Sequence, residues 1–482
     1  MSNATMVSAR MRIESILDDS SFVEIGAGVK ARATDFNIQE KAALSDGVIT
    51  GYGMINNKPV YVYSQDATVM NGTVGEMHAK KIAALYDMAV KMGAPVIGLI
   101  DCAGIRLQES TDALAGFGTI YQKMSMASGV IPQITAVYGN CGGGLAVLTA
   151  LSDFTFMEEK NGKFFVNSPN ALDGNYAEKL DTTTAQFAAE AGTVDFTGDE
   201  ETVAGGIRQL VDMLPCNNEC DTWDQCDDDL NRACPDMAAE IADASMALTD
   251  IGDGNVFVEV KQTFAKDMVT GFIKLDGTTV GCVANRTAVF DENGEKSEEF
   301  APVISVKGAR KAAEFVEFCD AFNIPVLTLT NVKGFEANVC AEKHIAKAVA
   351  KLTYAFANAT VPKVNVITGE AYGSAYVAMN SKAIGADMTY AWDTASIGMM
   401  DANLAAKIMY ADDIAKADDV TAEISAKAAE YASLQSSVES AAARGYVDTV
   451  INAADTRKYV AAAFEMLFSK REKHPEKKHG TV

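Results

Sequence analysis

Five residues recur at one constant offset of 230: Lys81 with Lys311, Pro95 with Pro325, Gly104 with Gly334, Pro132 with Pro362 and Gly143 with Gly373. The segments around them agree in type as well. Each half runs through a hairpin candidate, a helix, a short apolar strand, a glycine-bearing turn, a second helix and another apolar strand that ends on glycine. A period this long exceeds the repeats of solenoids and marks a duplicated domain. A chain of 482 residues is also too long for one ordinary core. Two domains are therefore expected, at 1–240 and 241–482. The seam lies in an acidic stretch, from Asn217-Asn218-Glu219 to Asp227-Asp228-Asp229, which has the composition of a linker.

In the first half, residues 47–55 and 59–63 read as a hairpin around Asn56-Asn57-Lys58. Residues 76–91 place Ile82, Leu85, Tyr86, Ala89 and Val90 on one helical face. A buried strand at 95–100, a helix at 112–128 and a strand at 132–137 come next, and the last delivers Gly142-Gly143-Gly144. The second half repeats this as a hairpin at 271–284, a helix at 307–322, a strand at 325–329, a helix at 341–358 and a strand at 362–367. It then reaches Gly373-Ser374-Ala375. Helices alternating with short apolar strands predict an α/β fold with parallel strands in each half.

Several kinds of chemistry are disfavoured. The net charge of −24 argues against nonspecific binding to nucleic acid or an anionic membrane. No apolar run reaches the roughly 18–20 residues of a membrane span, and the start lacks the pattern of a signal peptide. Nine scattered cysteines fit a reducing cytoplasm. Cys216, Cys220, Cys226 and Cys234 lack the paired spacing of a zinc ribbon and read as plain loop cysteines. His78, His344, His474 and His479 have no second histidine at ligand spacing, so no metal site is expected. Gly26-Ala27-Gly28 opens a loose dinucleotide fingerprint, but no apolar helix comes after it. Ser374 is not a nucleophile at an elbow, because Tyr372 stands where that turn needs glycine. There is no Walker A sequence.

Two backbone N–H cradles remain. Such cradles stabilise oxyanions, and loss of one donor can cost about 3–4 kcal/mol in the transition state. An enolate beside a thioester is a natural occupant. Two cradles suit a reaction that moves a carboxyl group between two enolate-like carriers.

Longer segments carry a resemblance. They include Gly93-Ala94-Pro95-Val96-Ile97-Gly98-Leu99 and Ala127-Ser128-Gly129-Val130-Ile131-Pro132 in the first half. In the second they include Lys307-Gly308-Ala309-Arg310, Phe318-Cys319-Asp320-Ala321-Phe322-Asn323-Ile324-Pro325 and Ala371-Tyr372-Gly373-Ser374-Ala375-Tyr376. Arg444-Gly445-Tyr446-Val447-Asp448 and Lys477-Lys478-His479-Gly480 lie near the end. Over nearly its whole length the chain resembles the carboxyltransferase subunits of biotin-dependent acyl-CoA carboxylases and decarboxylases. That resemblance implies two tandem ClpP/crotonase-like domains. It implies a homohexamer, a trimer of dimers, with each active site between the N-domain of one subunit and the C-domain of another. The N–H groups of Gly143 and Gly144 would hold the acyl-CoA thioester oxygen, and those of Ser374 and Ala375 the biotin ureido oxygen. Gly104, Gly142, Gly373 and Val377 would line the substrate sites. Carboxybiotin would release CO2, the biotin enolate would take the α-proton of the acyl-CoA, and the CoA enolate would capture the CO2; a decarboxylase runs this backwards.

No biotinylated Met-Lys-Met segment occurs, since Val90-Lys91-Met92-Gly93 lies in a helix pattern. Biotin is therefore expected on a separate biotin carboxyl carrier protein. The further partner is a biotin carboxylase or a membrane sodium-pump decarboxylase subunit. The expected substrates are malonyl- or methylmalonyl-CoA with acetyl- or propionyl-CoA. The sequence departs from the family pattern in places. Ser374 stands where glycine is usual, and Val377 where many relatives have Asp. The usual Gly-Gly-Ala-Arg turn reads Cys102-Ala103-Gly104-Ile105-Arg106. The alternative is a biotin-independent crotonase-type hydratase or isomerase. Those enzymes are single-domain, and the duplication favours the carboxyltransferase.

Overall fold

The computed structural model describes residues 8–32, 34, 45–291, 293–475 and 479–480. Lys477 and Lys478 of the last motif lie outside them, as do the first seven residues, where a signal peptide would begin. The chain divides into two compact units, Met1–Asp221 and Thr222–Val482.

The division falls ahead of the expected 240, and the acidic stretch is not a loose linker. Within the second unit, Lys274 pairs with Asp224 at 2.5 Å. Arg232 bridges Asp228 and Asp250 at 3.2 Å each. Arg457, fully buried, reaches Asp228 at 3.2 Å and Asp253 at 2.7 Å. The helix Ala244–Ile251 then puts Ala247, Leu248 and Ile251 into the core. Cys234 joins that core instead of facing solvent. All nine cysteines are unpaired. Among the described residues no cluster of His, Cys, Asp and Glu could hold a metal. No described helix is long and apolar enough to cross a membrane.

In the first unit the strands are β1 (Val23–Ile25), β2 (Val48–Ile55), β3 (Lys58–Gln65), β4 (Val96–Cys102), β5 (Gln133–Gly142), β6 (Phe154–Glu158), β7 (Lys163–Phe165) and β8 (Phe196–Gly198). They form one sheet in the order β1-β2-β3-β4-β5-β6-β8, with β7 paired to β5. The β2–β3 hairpin is antiparallel, and every pairing from β3 onward is parallel. All seven residues of β4 are buried, which is why it reads as a continuous apolar run. The helices α1 (Ala9–Ile16), α2 (Glu76–Met92) and α3 (Ser110–Ala127) supply core residues such as Ile13, Leu85, Ile120 and Met124.

The second unit has β9 (Val258–Val260), β10 (Met268–Leu275), β11 (Thr278–Asn285), β12 (Ala288–Phe290), β13 (Lys296–Glu299), β14 (Val326–Val332), β15 (Lys363–Tyr372), β16 (Met388–Trp392), β17 (Ser396–Gly398) and β18 (Thr449–Ile451). Its main sheet runs β18-β16-β15-β14-β11-β10-β9, with β17 paired to β15, and is the same arrangement again. β14 and β15 stand 230 residues after β4 and β5. The hairpin trails its counterpart by only 220, because β12 and β13 are inserted before the helix Val306–Ala321. The helix expected at 341–358 is broken into Val339–Glu342 and Ile345–Asn358.

The repeated lysine has a structural cause. Lys81 on α2 donates to the carbonyls of Ser45 and Val48, which lead into the hairpin. Lys311 donates to the carbonyls of Lys261 and Phe264, at 2.9 Å each, ahead of β10. Burial pushes the two amines down, to about 8 for Lys81 and about 7 for Lys311. Lys311→Met leaves two carbonyls without their donor and is expected to destabilise the protein by about 2–5 kcal/mol, read by urea unfolding. In the unfolded chain this amine keeps its proton up to pH 10.5, whereas the folded one releases it at about 7. Between those values the unfolded state binds more protons, so the wild-type advantage over Lys311→Met should grow as pH rises.

Candidate active site

β4 and β5 run in simple register as far as Ile100 opposite Val137, but the next pair is Cys102 opposite Cys141. One residue of β4, Asp101, therefore faces three of β5: Tyr138, Gly139 and Asn140. This bulge carries β5 on to Gly142, beyond the end expected at 137. Bulges bend a strand and re-aim its end. Directly after that end stands Gly143, at φ 61° and ψ −122°, a backbone conformation that favours glycine. The helix α4 (Gly144–Thr149) starts on the next residue.

The second unit does the same. Thr330 faces Ile367 and Val332 faces Ala371, so Asn331 is opposed by Thr368, Gly369 and Glu370. Gly373 has φ 60° and opens the helix Gly373–Ala378.

The first unit brings Gly104, Gly142, Gly143 and Gly144 to one end of the sheet. Gly104 leaves β4 just past Cys102, the Cα partner of Cys141, and its N–H meets the Cys102 sulfur at 3.3 Å. Its φ of 109° also calls for glycine. A Cβ on Gly142 would fall 2.7 Å from the Phe165 ring, and one on Gly144 would fall 2.9 Å from the Tyr121 hydroxyl. That hydroxyl donates to the Gly144 carbonyl at 2.6 Å. The position of Gly143 is open, and a Cβ there would meet nothing within 4 Å. The N–H of Gly143 already donates to the Phe165 carbonyl at 2.9 Å, because β7 pairs alongside β5. Gly144 and Leu145 lie in the first turn of α4, where N–H groups have no partner one helical turn back.

The turn that carries Gly104 is locked from beneath. Arg106 is buried and pairs with Asp46 and Glu109 at 2.5 and 2.8 Å. It also donates to the Thr73 carbonyl at 2.7 Å. Glu109 accepts the Glu76 N–H at the start of α2 at 2.6 Å. Asp46 accepts the backbone N–H of His78 at 2.9 Å. Burial raises the Asp46 carboxyl and lowers the His78 imidazole to about 3, so the histidine is a neutral residue packed in the core. Sequence reasoning missed the Arg106 network. Its only signal was an arginine just past the Gly104 turn.

The second unit brings together Gly373, Ser374, Ala375 and Val377. Ser374 is exposed and Ala375 buried, both in the first turn of their helix. Val377 is 36% exposed, and its counterpart in the first unit, Val147, is 45% exposed. Each valine stands on the open side of its helix, just past the cradle. A Cβ on Gly373 would lie 3.1 Å from the Met399 carbonyl. Asp101, near the end of β4, and Glu109, beyond the Gly104 turn, are engaged by Arg12 and Arg106.

Residues 5–482 match the carboxyl transferase domain family. The propionyl-CoA carboxylase beta chain of Roseobacter denitrificans is 40% identical over 491 residues, covering 99% of this chain and 93% of the relative. The methylmalonyl-CoA decarboxylase subunit alpha of Propionigenium modestum is 39% identical over 493 residues, with the same coverage of 99% and 93%. Among solved structures, the transcarboxylase 12S hexamer with methylmalonyl-CoA and methylmalonic acid bound superposes with a TM-score of 0.91 at 35% identity, covering 98% of this chain and 91% of that one. The chain therefore belongs to the carboxyl transferase domain family, with the carboxyltransferases of biotin-dependent acyl-CoA carboxylases and decarboxylases, and is not a single-domain crotonase-type hydratase or isomerase.

Proposed function

We propose that this enzyme moves a carboxyl group between carrier-borne biotin and the α-carbon of a short-chain acyl-CoA, malonyl- or methylmalonyl-CoA on one side and acetyl- or propionyl-CoA on the other. The observation that carries the reading is the duplicated cradle: a left-handed glycine, Gly143 or Gly373, at φ 61° and 60°, on the end of equivalent bulged strands. We read the two units as tandem crotonase-like domains, the first for acyl-CoA and the second for biotin.

In the first unit the thioester oxygen is held by the N–H groups of Gly144 and Leu145, one residue later than the pair expected from sequence. Gly143 supplies the turn, its own N–H being spent on Phe165. This pair matches Ser374 and Ala375 in the second unit. As the α-carbon gains or loses its carboxylate, negative charge collects on the thioester oxygen, and each donor aimed at it is worth about 3–4 kcal/mol. The locked Gly104 turn forms the adjoining wall. In the second unit, Ser374 and Ala375 turn two N–H groups toward a ureido oxygen, and Gly373, at φ 60°, makes the left-handed turn that presents them. Biotin, delivered by its carrier, supplies the nitrogen that gives or takes the carboxyl group. Val377 stands one turn on and bounds the space beside that oxygen.

The relative of known structure is a hexamer, and we assign this chain the same trimer of dimers, with each site completed across two subunits. Its partners are a biotin carboxyl carrier protein and either a biotin carboxylase or a membrane sodium-pump decarboxylase subunit. Nine unpaired cysteines suit the reducing cytoplasm.

Incubation with methylmalonyl-CoA and biotinylated carrier should yield propionyl-CoA and carboxylated carrier. Turnover of an enoyl-CoA with no response to carrier would end this reading. The shared site has its own test. Gly143→Ala and Gly373→Ala each strain a left-handed backbone by about 1–3 kcal/mol and should each be inactive. Co-expressed, the two variants should regain about a quarter of wild-type sites if every site takes one cradle from each of two subunits. No recovery places both cradles of a site on one chain.

A further inference from the structure

The two bulges that precede the cradles are each filled by one side chain, from the facing strand. Asp101 fills the bulge of β5 and Asn331 that of β15. The fit is tight enough to dictate the residue opposite. A Cβ on Gly139 would fall 2.0 Å from Asp101 Oδ1 and 2.4 Å from its Cγ. A Cβ on Gly369 would fall 2.7 Å from Asn331 Oδ1 and 2.9 Å from its Cγ. Neither glycine needs a left-handed φ, so it is the neighbouring side chain that excludes a Cβ.

Each of these residues is also held from behind by an equivalent side-chain amide. Gln65 Oε1 accepts the Asp101 N–H at 3.3 Å, and Asn285 Oδ1 accepts the Asn331 N–H at 3.1 Å. Gln65 and Asn285 are the last residues of β3 and β11. Asn331 Oδ1 in turn accepts the Glu370 N–H at 3.0 Å, within the bulge. Asp101 is keyed by a buried ion pair to Arg12 of α1, at 3.1 Å. The two pegs thus share position, backbone anchor and opposing glycine, and differ in charge.

We propose that Asp101 and Asn331 are positioning residues, each setting the direction in which its own cradle presents N–H groups to the reacting oxygen. The surplus residues of a bulge lose their partners on the facing strand, and of these Asn140 and Glu370 pair instead with β7 and β17. With the peg removed, the facing strand no longer sets the bend, and the direction of the strand end that carries Gly143 or Gly373 rests on those short edge pairings alone. A misplacement of about 1 Å at donors of this kind costs about 100-fold in rate. The inference that each peg serves a different substrate rests on the carboxyl-transfer reading above.

The test uses the full chain and four variants: Asp101→Ala, Asp101→Asn, Asn331→Ala and Asn331→Asp. Two measurements are made. Steady-state transfer from methylmalonyl-CoA to free biotin gives kcat and a KM for each substrate. Hydrogen–deuterium exchange compares 144–149 with 373–378. Both alanine variants should lower kcat about 100-fold. Asp101→Ala should also raise the methylmalonyl-CoA KM about tenfold, leave the biotin KM within about twofold, and speed exchange only at 144–149. Asn331→Ala should do the reverse on every count. Asn331→Asp and Asp101→Asn, which keep the peg and its Oδ1, should recover most of each loss. Interchanged KM effects with the same local exchange would uphold the pegs and swap the substrates of the two cradles. A wild-type chain inert toward methylmalonyl-CoA and biotin would overturn the carboxyl-transfer reading, while exchange would still decide the pegs. Equal loss toward both substrates, unchanged exchange at the adjacent cradle, or conservative variants no better than alanine would overturn the proposal.

Discussion

A helix that begins at the carboxyl end of a buried parallel strand leaves its first N–H groups without a backbone partner. Both halves of this chain place such a helix start there, at Gly144 and at Gly373. The requirement reaches far into each unit. The strand before the helix must bend, so it carries a bulge. The turn must run through a left-handed residue, so it carries Gly143 or Gly373. The bulge must be filled, so a side chain from the neighbouring strand enters it and forbids a Cβ on Gly139 or Gly369.

The two halves meet the same requirement with different chemistry around it. In the first, the turn after β4 is held by a buried arginine between two carboxylates, and Glu109 passes that rigidity to the start of α2. In the second, Glu336 takes the position of Arg106 and caps Val306 directly, at 3.3 Å, with Asn338 donating to its other oxygen at 2.8 Å. An isolated ion in such a place would cost several kcal/mol to desolvate, and the first unit offsets this by giving Arg106 two carboxylates and a carbonyl. Both solutions fasten the strand end to the first turn of the next helix. Duplication has preserved the geometry of the cradle more closely than the residues that brace it.

Much of the fold was legible without coordinates. Apolar runs at 95–100 and 132–137 announce strands buried on both faces. The glycine at 143 announces a turn that only a residue without Cβ makes easily. The limits of legibility are equally physical. The continuation of β5 to Gly142 breaks no composition rule and depends on β7 pairing beside it. The extra ribbon β12–β13 interrupts the constant offset, so the second hairpin does not align with the first by number. Arg106, Asp46 and Glu109 look like ordinary surface charges in a chain with 65 acidic residues, and only folding makes them a buried cluster.

By itself the sequence determined the duplication, the parallel α/β character of both halves, the family, and the glycines that make both turns. These are local signals, or signals that recur at a constant spacing. Tertiary structure alone decided that the N–H of Gly143 is occupied, because its carbonyl partner belongs to Phe165 on a separate strand. It alone decided that the acidic stretch near 220–230 is built into the second unit, because Lys274 and Arg457, which neutralise it, are remote in the chain. Hydrogen-bond partners and counter-charges are set by proximity in space, which spacing along one chain does not encode.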